Sequence, residues 1–466
     1  MNRFRLSTAL PAGLALVGLG LLAWWIGSGP VVPLEARVPG LDRPKGAAAV
    51  VKRPLRGELT KLADLSPSAQ QPAGSWPCFR GEKLDGIAQA TGLARKWPKG
   101  GPKVLWSTEL GEGYAGAAVF GGRVYVLDYD RKAATDTLRC MALADGKPLW
   151  RYSYPVDIKR NHGMSRTVPY VTDRFVVSIG PKCHVSCLDP VTGREYWLCD
   201  MVEDFKAIVP PWYAGQCPLV DGGRAILAPG GDALVVAKDC QTGKILWQSP
   251  NPQGWAMTHV SIVPMEFAGR RMYVYCGKGG VAGVSATDGQ ILWDTTDWKI
   301  SIATVPTPVV LPGGRIFFCG GYNAGSLILK LEEHGGRLLP KIVRRIKAAQ
   351  FGATQHTPIL VKDRLYGIRE KDRELVCMDL EGNVRWASGA QHRFGLGPFL
   401  IADGLIYVLD DSGKLTLAEL SPDRYRQLDA AQVLDGHDAW APMALVGTRL
   451  ILRDLVRMVC IEVGKQ

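Results

Sequence analysis

Several signatures of chemistry are missing from this 466-residue sequence. No Gly-x-Ser-x-Gly occurs, which excludes the strained elbow that presents a serine nucleophile above an α/β sheet. The Thr-Gly-Lys at 242–244 lacks the upstream glycine of a phosphate-cradling loop and reads as a turn. No DNA- or RNA-binding motif is present. The formal charge of +12 supplies no basic face either, because residues 1–61 hold nine Lys or Arg against three Asp or Glu, half of the excess. Beyond residue 80 no long apolar stripe recurs at helical spacing, which argues against helices there. No charge interrupts residues 6–34, and no cysteine precedes Cys78, so no N-terminal lipid-bearing cysteine is expected.

What the sequence does have is a repeated glycine, three variable residues and a tryptophan. The pattern ends at Trp150 in "DGKPLW", then at Trp197, Trp247, Trp293 and Trp386. Counted from Trp106, the gaps are 44, 47, 50, 46 and 93 residues, the last about twice the others, as if one copy had lost its tryptophan. A period in the forties calls for a repeat architecture. Between the tryptophans lie short apolar runs introduced by Gly or Asp, such as "GGRVYVLDYD", "GGRAILAPGG" and "DGLIYVLDD". Such runs, about ten residues apart and bounded by turn residues, predict antiparallel hairpins. Four strands per repeat make a propeller blade, with the tryptophan on the fourth strand where its flat ring packs between blades.

Eight such hairpin signals begin near residues 121, 172, 221, 268, 312, 362, 402 and 446. The fifth and seventh copies lack the tryptophan; "KIVRRIK" (341–347) and "YRQLDAAQV" (425–433) are their expected fourth strands. The eighth ends at the C-terminus with three strands, while "KVLWSTEL" (103–110) precedes the first blade as an orphan fourth strand. Joining them closes the ring and removes exposed sheet edges. The expectation is an all-β, eight-bladed propeller of four-stranded antiparallel blades over residues 76–466, closed by the N-terminal strand, with seven blades as the fallback.

Ahead of it, residues 1–5 form a basic, cytoplasmic stub. Residues 6–28 are apolar and long enough to cross a bilayer of about 30 Å as a transmembrane signal anchor. The aromatic exit "WWIGSGP" suits an interface belt better than a cleavage site. Arg3 and Arg5 then place the propeller outside the inner membrane, in the periplasm, by the positive-inside rule; secretion after cleavage is the alternative. Residues 29–75 are proline-rich and read as a linker.

Eleven cysteines in an exported chain raise the question of disulfides. The repeat places Cys140, Cys187, Cys377 and Cys460 at one equivalent third-strand position, where Ala237 and Gly283 stand in other blades. Small core residues on separate blades are too far apart to pair.

Tandem blades with "TGK-x-x-W" turns resemble the PQQ-like (quinoprotein-type) β-propeller family, and "SWPCFRGEKLDG" (75–86) is similar to a Trp-Pro-x-Phe-Arg-Gly lead-in of bacterial PQQ-like repeat proteins. The resemblance implies an eight-bladed fold. It leaves activity open, because the family holds quinone-dependent dehydrogenases as well as a propeller lipoprotein of the outer-membrane β-barrel assembly machinery, a protein-binding scaffold. The features that the resemblance attaches to the enzymes have no match here. There is no Cys-Cys pair, no Cys-x-x-Cys-His haem motif, and no position that matches the calcium-ligand set or the catalytic Asp. No catalytic residue, metal site or cofactor is therefore expected.

Histidine gives the most informative polar signal. His162, His259, His356, His392 and His437 all fall in connections from one blade's last strand to the next blade's first. These connections emerge on one face and lead toward the axis. They also hold Tyr114, Arg166, Trp212, Tyr213, Gln216, Trp255, Gln355, Arg393, Asp438 and Trp440. Aromatic and guanidinium groups are favoured where partners bind, so these are the candidate binding residues. The plain alternative is that loops collect polar residues to satisfy their own backbone. Histidine's ordinary pKa of about 6.5 predicts binding sensitive to mild acid. The function these observations favour is a membrane-tethered, extracytoplasmic, non-enzymatic scaffold for a protein or peptide partner, in envelope or outer-membrane protein assembly. A small-ligand-binding or quinone-dependent oxidoreductase propeller, and a structural or sensory envelope component, are the alternatives.

Overall fold

The computed structural model describes residues 6–28, 55–64, 73–299, 302–303 and 305–465. Leu6–Ser28 is a helix, with side chains described from Gly13 onward, all exposed. Among the described residues no helix is long and apolar enough to cross a membrane. The expected stub at 1–5 and most of the linker lie outside the described residues.

Residues 55–465 form eight sheets, each a blade. Seven are built in chain order over residues 118–155, 170–200, 219–250, 263–295, 309–346, 359–387 and 399–432. The eighth takes Ala444–Val446, Arg449–Arg453 and Arg457–Glu462 and is completed by Val104–Glu109, antiparallel to Arg457–Glu462. Ring closure by the orphan strand is thus observed, and the fallback of seven blades is not needed. The linker reading needs a correction. Glu58–Lys61, inside the stretch expected to be a tether, is a strand antiparallel to Pro148–Pro155 on the outer edge of blade 1. The free edge of that fourth strand offers backbone groups that a nearby extended segment can satisfy.

The register explains the Gly-x-x-x-Trp pattern. Each tryptophan faces a small third-strand residue: Trp150 opposes Cys140, Trp197 Cys187, Trp247 Ala237, Trp293 Gly283, Trp386 Cys377 and Trp106 Cys460. The indole's other side meets the turn glycine of the following blade. A Cβ on Gly193 would stand 2.8 Å from the Trp150 ring, and one on Gly243 2.8 Å from Trp197. These glycines have φ of 74° and 69°, so one residue both makes the turn and leaves room for the neighbouring indole. Trp106, Trp197 and Trp386 also donate Nε1–H to the carbonyls of Leu143, Cys240 and Ser421 in the next blade at 2.9, 2.9 and 3.1 Å.

Blades 5 and 7 compensate for the missing indole. At the same register position they carry Arg344 and Asp429, opposed by the bulkier Ile328 and Leu417. Arg344 reaches the Glu381 carbonyl of blade 6 at 2.9 Å, and Asp429 accepts the Trp97 N–H at 2.7 Å. All eleven cysteines are buried and unpaired.

Residues 76–88 do not join the outer ring; they cross its axis. Trp76 bridges to Val119 in blade 1, and the Pro77 carbonyl accepts from Val171 in blade 2 at 2.8 Å. Leu84 packs against the apolar cluster that includes Leu219 and Ile262. Arg80 donates to Thr357 and Pro358 at the entry to blade 6, both at 3.3 Å. Ile87–Ala88 then pairs in parallel with Ile401–Ala402 of blade 7. A segment that touches the innermost strands of opposite blades fills the central channel.

Candidate functional site

Above this plug, on the face that carries the blade-to-blade connections, lies a cavity of about 300 Å³. Phe79 of the plug lines it, and its walls include Tyr114, Trp212, Tyr322 and Trp440. Two connections position the most polar wall. Residues 111–115 run beside 163–166, with the Tyr114 N–H donating to Ser165 at 2.6 Å and the Met164 N–H to Glu112 at 2.9 Å. The buried Arg453 of blade 8 holds the first of them, donating to the carbonyls of Gly111 at 2.8 Å and Ala115 at 2.9 Å. Tyr114 and Arg166 are thereby fixed together, with the guanidinium 5.0 Å above the phenol ring. Trp440 lies tilted at 33° to Tyr114, with ring centroids 5.1 Å apart, and is anchored by its Nε1–H to Asp411 at 2.7 Å.

The electrostatics are those of a cation that has no counter-ion among the described residues. Arg166 donates to the Asn161 carbonyl at 3.3 Å, while its Nε is buried with no partner. Burial lowers its pKa to about 10, and the groups that oppose this are Tyr114, Tyr213 and Tyr322 rather than a carboxylate. His259 is buried, and desolvation followed by the Arg166 charge pulls its pKa down to about 4. Gly215 makes room for that ring, since a Cβ there would lie 2.6 Å from His259 Cδ2. His356 is likewise pulled to about 4 by burial, with Arg80 adding to it, and its Nε2 is buried without a partner. For these two, the expectation of histidines titrating near neutrality is corrected: both are neutral in mild acid.

The backbone of this face is held away from its preferred regions. His162, Trp212, Tyr213, Tyr322, Asn323 and Asp438 all have positive φ, between 55° and 73°. Each such residue costs of the order of 1–3 kcal/mol, and such strain clusters where binding surfaces are pre-shaped.

Eight of the candidate residues line the cavity: Tyr114, His162, Arg166, Trp212, His259, Gln355, His356 and Trp440. The rest do not. Gln216 is fully buried and bonds both backbone groups of Ala228, at 3.2 Å to the carbonyl and 2.9 Å from the N–H, so it ties a loop to a strand. Trp255 is buried within blade 4 against Gly277, Gly279 and Gly280. Tyr213 donates to the Lys159 carbonyl. His392 packs 5.0 Å from Tyr425, and Arg393 is exposed at a bridge to Glu374. His437 sits 3.5 Å from Asp438 on the exposed rim, and Asp438 accepts from the Tyr114 hydroxyl at 3.4 Å. Phe79 and Tyr322 were not among the expected residues. Tyr322 lies in a hairpin turn between second and third strands, which opens on the same face as the connections.

Among the described residues the cavity wall does not match the calcium site that the resemblance implies for the enzymes. Among the described residues no Asp, Glu or Asn lines the cavity, so calcium's oxygen ligands and the catalytic carboxylate have no counterpart there.

Residues 134–388 match the family model described as outer membrane protein assembly factor BamB, a PQQ-like repeat family. No curated protein matches the sequence. Among solved structures, the chain is similar to BamB from Moraxella catarrhalis at 14% identity, covering 77% of this chain and 99% of that one with a TM-score of 0.52. The computationally designed Ika8 protein matches with the same identity, coverage and TM-score. The quinohemoprotein alcohol dehydrogenase from Comamonas testosteroni is 12% identical over 86% of this chain and 82% of its own, with a TM-score of 0.47. At these identities the structural likeness is one of fold. The family match spans more than half of the sequence, and the protein belongs to the BamB-type PQQ-like β-propeller family.

Proposed function

We propose that the protein is a non-enzymatic scaffold whose connection-bearing face binds a protein partner, and that its N-terminal segment tethers it to the inner membrane with the propeller in the periplasm. The observation that carries the binding reading is the aromatic cavity on that face, lined by residues from separate blades and holding an arginine with no counter-ion among the described residues. Rigid aromatic and guanidinium groups in a pre-shaped pocket are typical anchors for a partner. Family membership favours a scaffold, and the donor set of the cavity gives a quinone enzyme no support. The tether reading rests on the uncharged run at 6–34 of the sequence.

Capture of partners from solubilised membranes tests the binding face. An Arg166→Ala/Trp440→Ala variant that keeps the wild-type melting temperature is expected to lose the captured protein. Undiminished capture by that folded variant rules the face out. A carbonate wash of membranes tests the tether, since release of the full-length chain into the supernatant removes that part of the reading.

A further inference from the structure

We propose that the cavity takes the C-terminal carboxylate of an extended polypeptide, with an apolar or aromatic last side chain. This rests on the reading of that face as a protein-binding surface and names what the partner presents to it. The first step is topological. The plug at 76–88 stops the channel, with Phe79 at the cavity's floor, so a chain entering from the face cannot thread through the ring. It has to end there or turn back, and a volume of about 300 Å³ suits a terminal residue or two better than a folded-back loop. The second step is charge. Arg166 is the one Lys or Arg among the described wall residues; its guanidinium lies 5.0 Å over the Tyr114 ring, donates to the Asn161 carbonyl at 3.3 Å and has no carboxylate partner among the described residues. A guanidinium in that state gains most from a carboxylate, which it meets with two parallel hydrogen bonds. The third step is shape: Tyr114, Trp212, Tyr322 and Trp440 surround the space beside the arginine with aromatic surface that an apolar terminal side chain would cover.

The test uses the purified full-length chain in detergent and calorimetric titration with acetyl-Gly-Ser-Gly-Ser-Leu-Phe as the free acid and as the C-terminal amide. The free acid is expected to bind at least tenfold tighter. In Arg166→Gln the difference is expected to shrink below twofold, and Arg166→Lys, which keeps the charge without the planar fork, to retain part of it. Melting curves show whether each variant is folded; if Arg166→Gln is not, the wild-type acid-to-amide ratio decides. Equal binding of acid and amide overturns the proposal, as does a preference that survives Arg166→Gln. Benzoate or acetyl-phenylalanine binding as tightly as the hexapeptide acid also overturns it, making the cavity a small-carboxylate site. If neither peptide binds but membrane-partner capture is still lost in the Arg166→Ala/Trp440→Ala variant, the terminus proposal falls and the scaffold reading stands. If capture also persists, both fall.

Discussion

Burial decides the charge state of three side chains, and their opposing signs make the pH dependence of stability testable one residue at a time. His259 and His356 have folded pKa values of about 4, below histidine's ordinary 6.5. Between those values the unfolded chain binds two protons that the folded protein refuses, so stability is lost as pH falls through this window. Asp136 acts the other way. It is fully buried between blades 1 and 2, with one oxygen accepting from Tyr154 at 2.5 Å and the other unpartnered, and burial raises its pKa to about 7. The folded state holds a proton there that the unfolded state gives up above 3.8, so this contribution is lost as pH rises. Between pH 4.5 and 6 the sum is a net uptake of about one proton on unfolding, or about 1.4 kcal/mol per pH unit in favour of higher pH. Urea midpoints across that range are expected to rise with pH in the wild type, to rise about twice as steeply in Asp136→Asn, and to flatten in His259→Gln. Parallel curves for all three would mean that these groups titrate alike folded and unfolded.

The element that repeats is a tryptophan clasped between a small residue of its own blade and a turn glycine of the next. Gly193→Ala brings two costs: a left-handed turn, at about 1–2 kcal/mol, and a methyl group against the Trp150 ring and Leu59. Gly223 separates them, because its φ of 76° matches but nothing lies within 4 Å of a Cβ there. Chemical denaturation is expected to show Gly223→Ala costing about 1 kcal/mol and Gly193→Ala about 1–3 kcal/mol more, the excess shrinking in a Trp150→Ala background and vanishing only when Leu59 is also replaced by alanine. The Gly-x-x-x-Trp pattern was legible in the sequence because its two residues are four apart in one hairpin; the clasp was not, because the glycine that meets Trp150 is Gly193 of the next blade, whereas Gly146 meets Trp106. Arg344 was not legible as the stand-in in blade 5, since only the register shows that it faces Ile328 where other blades have cysteine. The sequence placed the candidate residues in loops without separating those that line the cavity from those that do not. Gln216 and Trp255 sit in connections that fold inward, and a polar or aromatic residue in a loop gives no sign of whether its loop dips into the core.

At the scale of the whole ring, what escaped the sequence is long-range pairing by very short segments. Ile87–Ala88 meets Ile401–Ala402 across more than three hundred residues, and Glu58–Lys61 meets Pro148–Pro155, with too few residues to show an alternating pattern. The orphan strand at Val104–Glu109 was legible because a ring with one three-stranded blade has an obvious place for it. These N-terminal segments contribute unequally, and truncation orders them. Of the described elements, a chain starting at residue 73 loses the helix at Leu6–Ser28 and the added strand on blade 1, and uncovers part of Tyr152 and Trp150. One starting at residue 90 also loses the plug, including buried Trp76 and the Arg80 guanidinium that bridges to Thr357 and Pro358. One starting at residue 111 loses in addition the strand that seals blade 8, together with Trp106, whose Nε1–H joins blade 8 to Leu143 of blade 1. An open ring exposes two sheet edges at once, and such edges aggregate. Melting temperatures are therefore expected to fall slightly at the first cut and further at the second, with the third giving an aggregated or unfolded product. Removal of the plug also opens the cavity's floor, so the second truncation is expected to lose binding at the face while its blades still melt cooperatively. If the chain from residue 111 melts with the chain from residue 73, closure by the N-terminal strand does not hold the ring together.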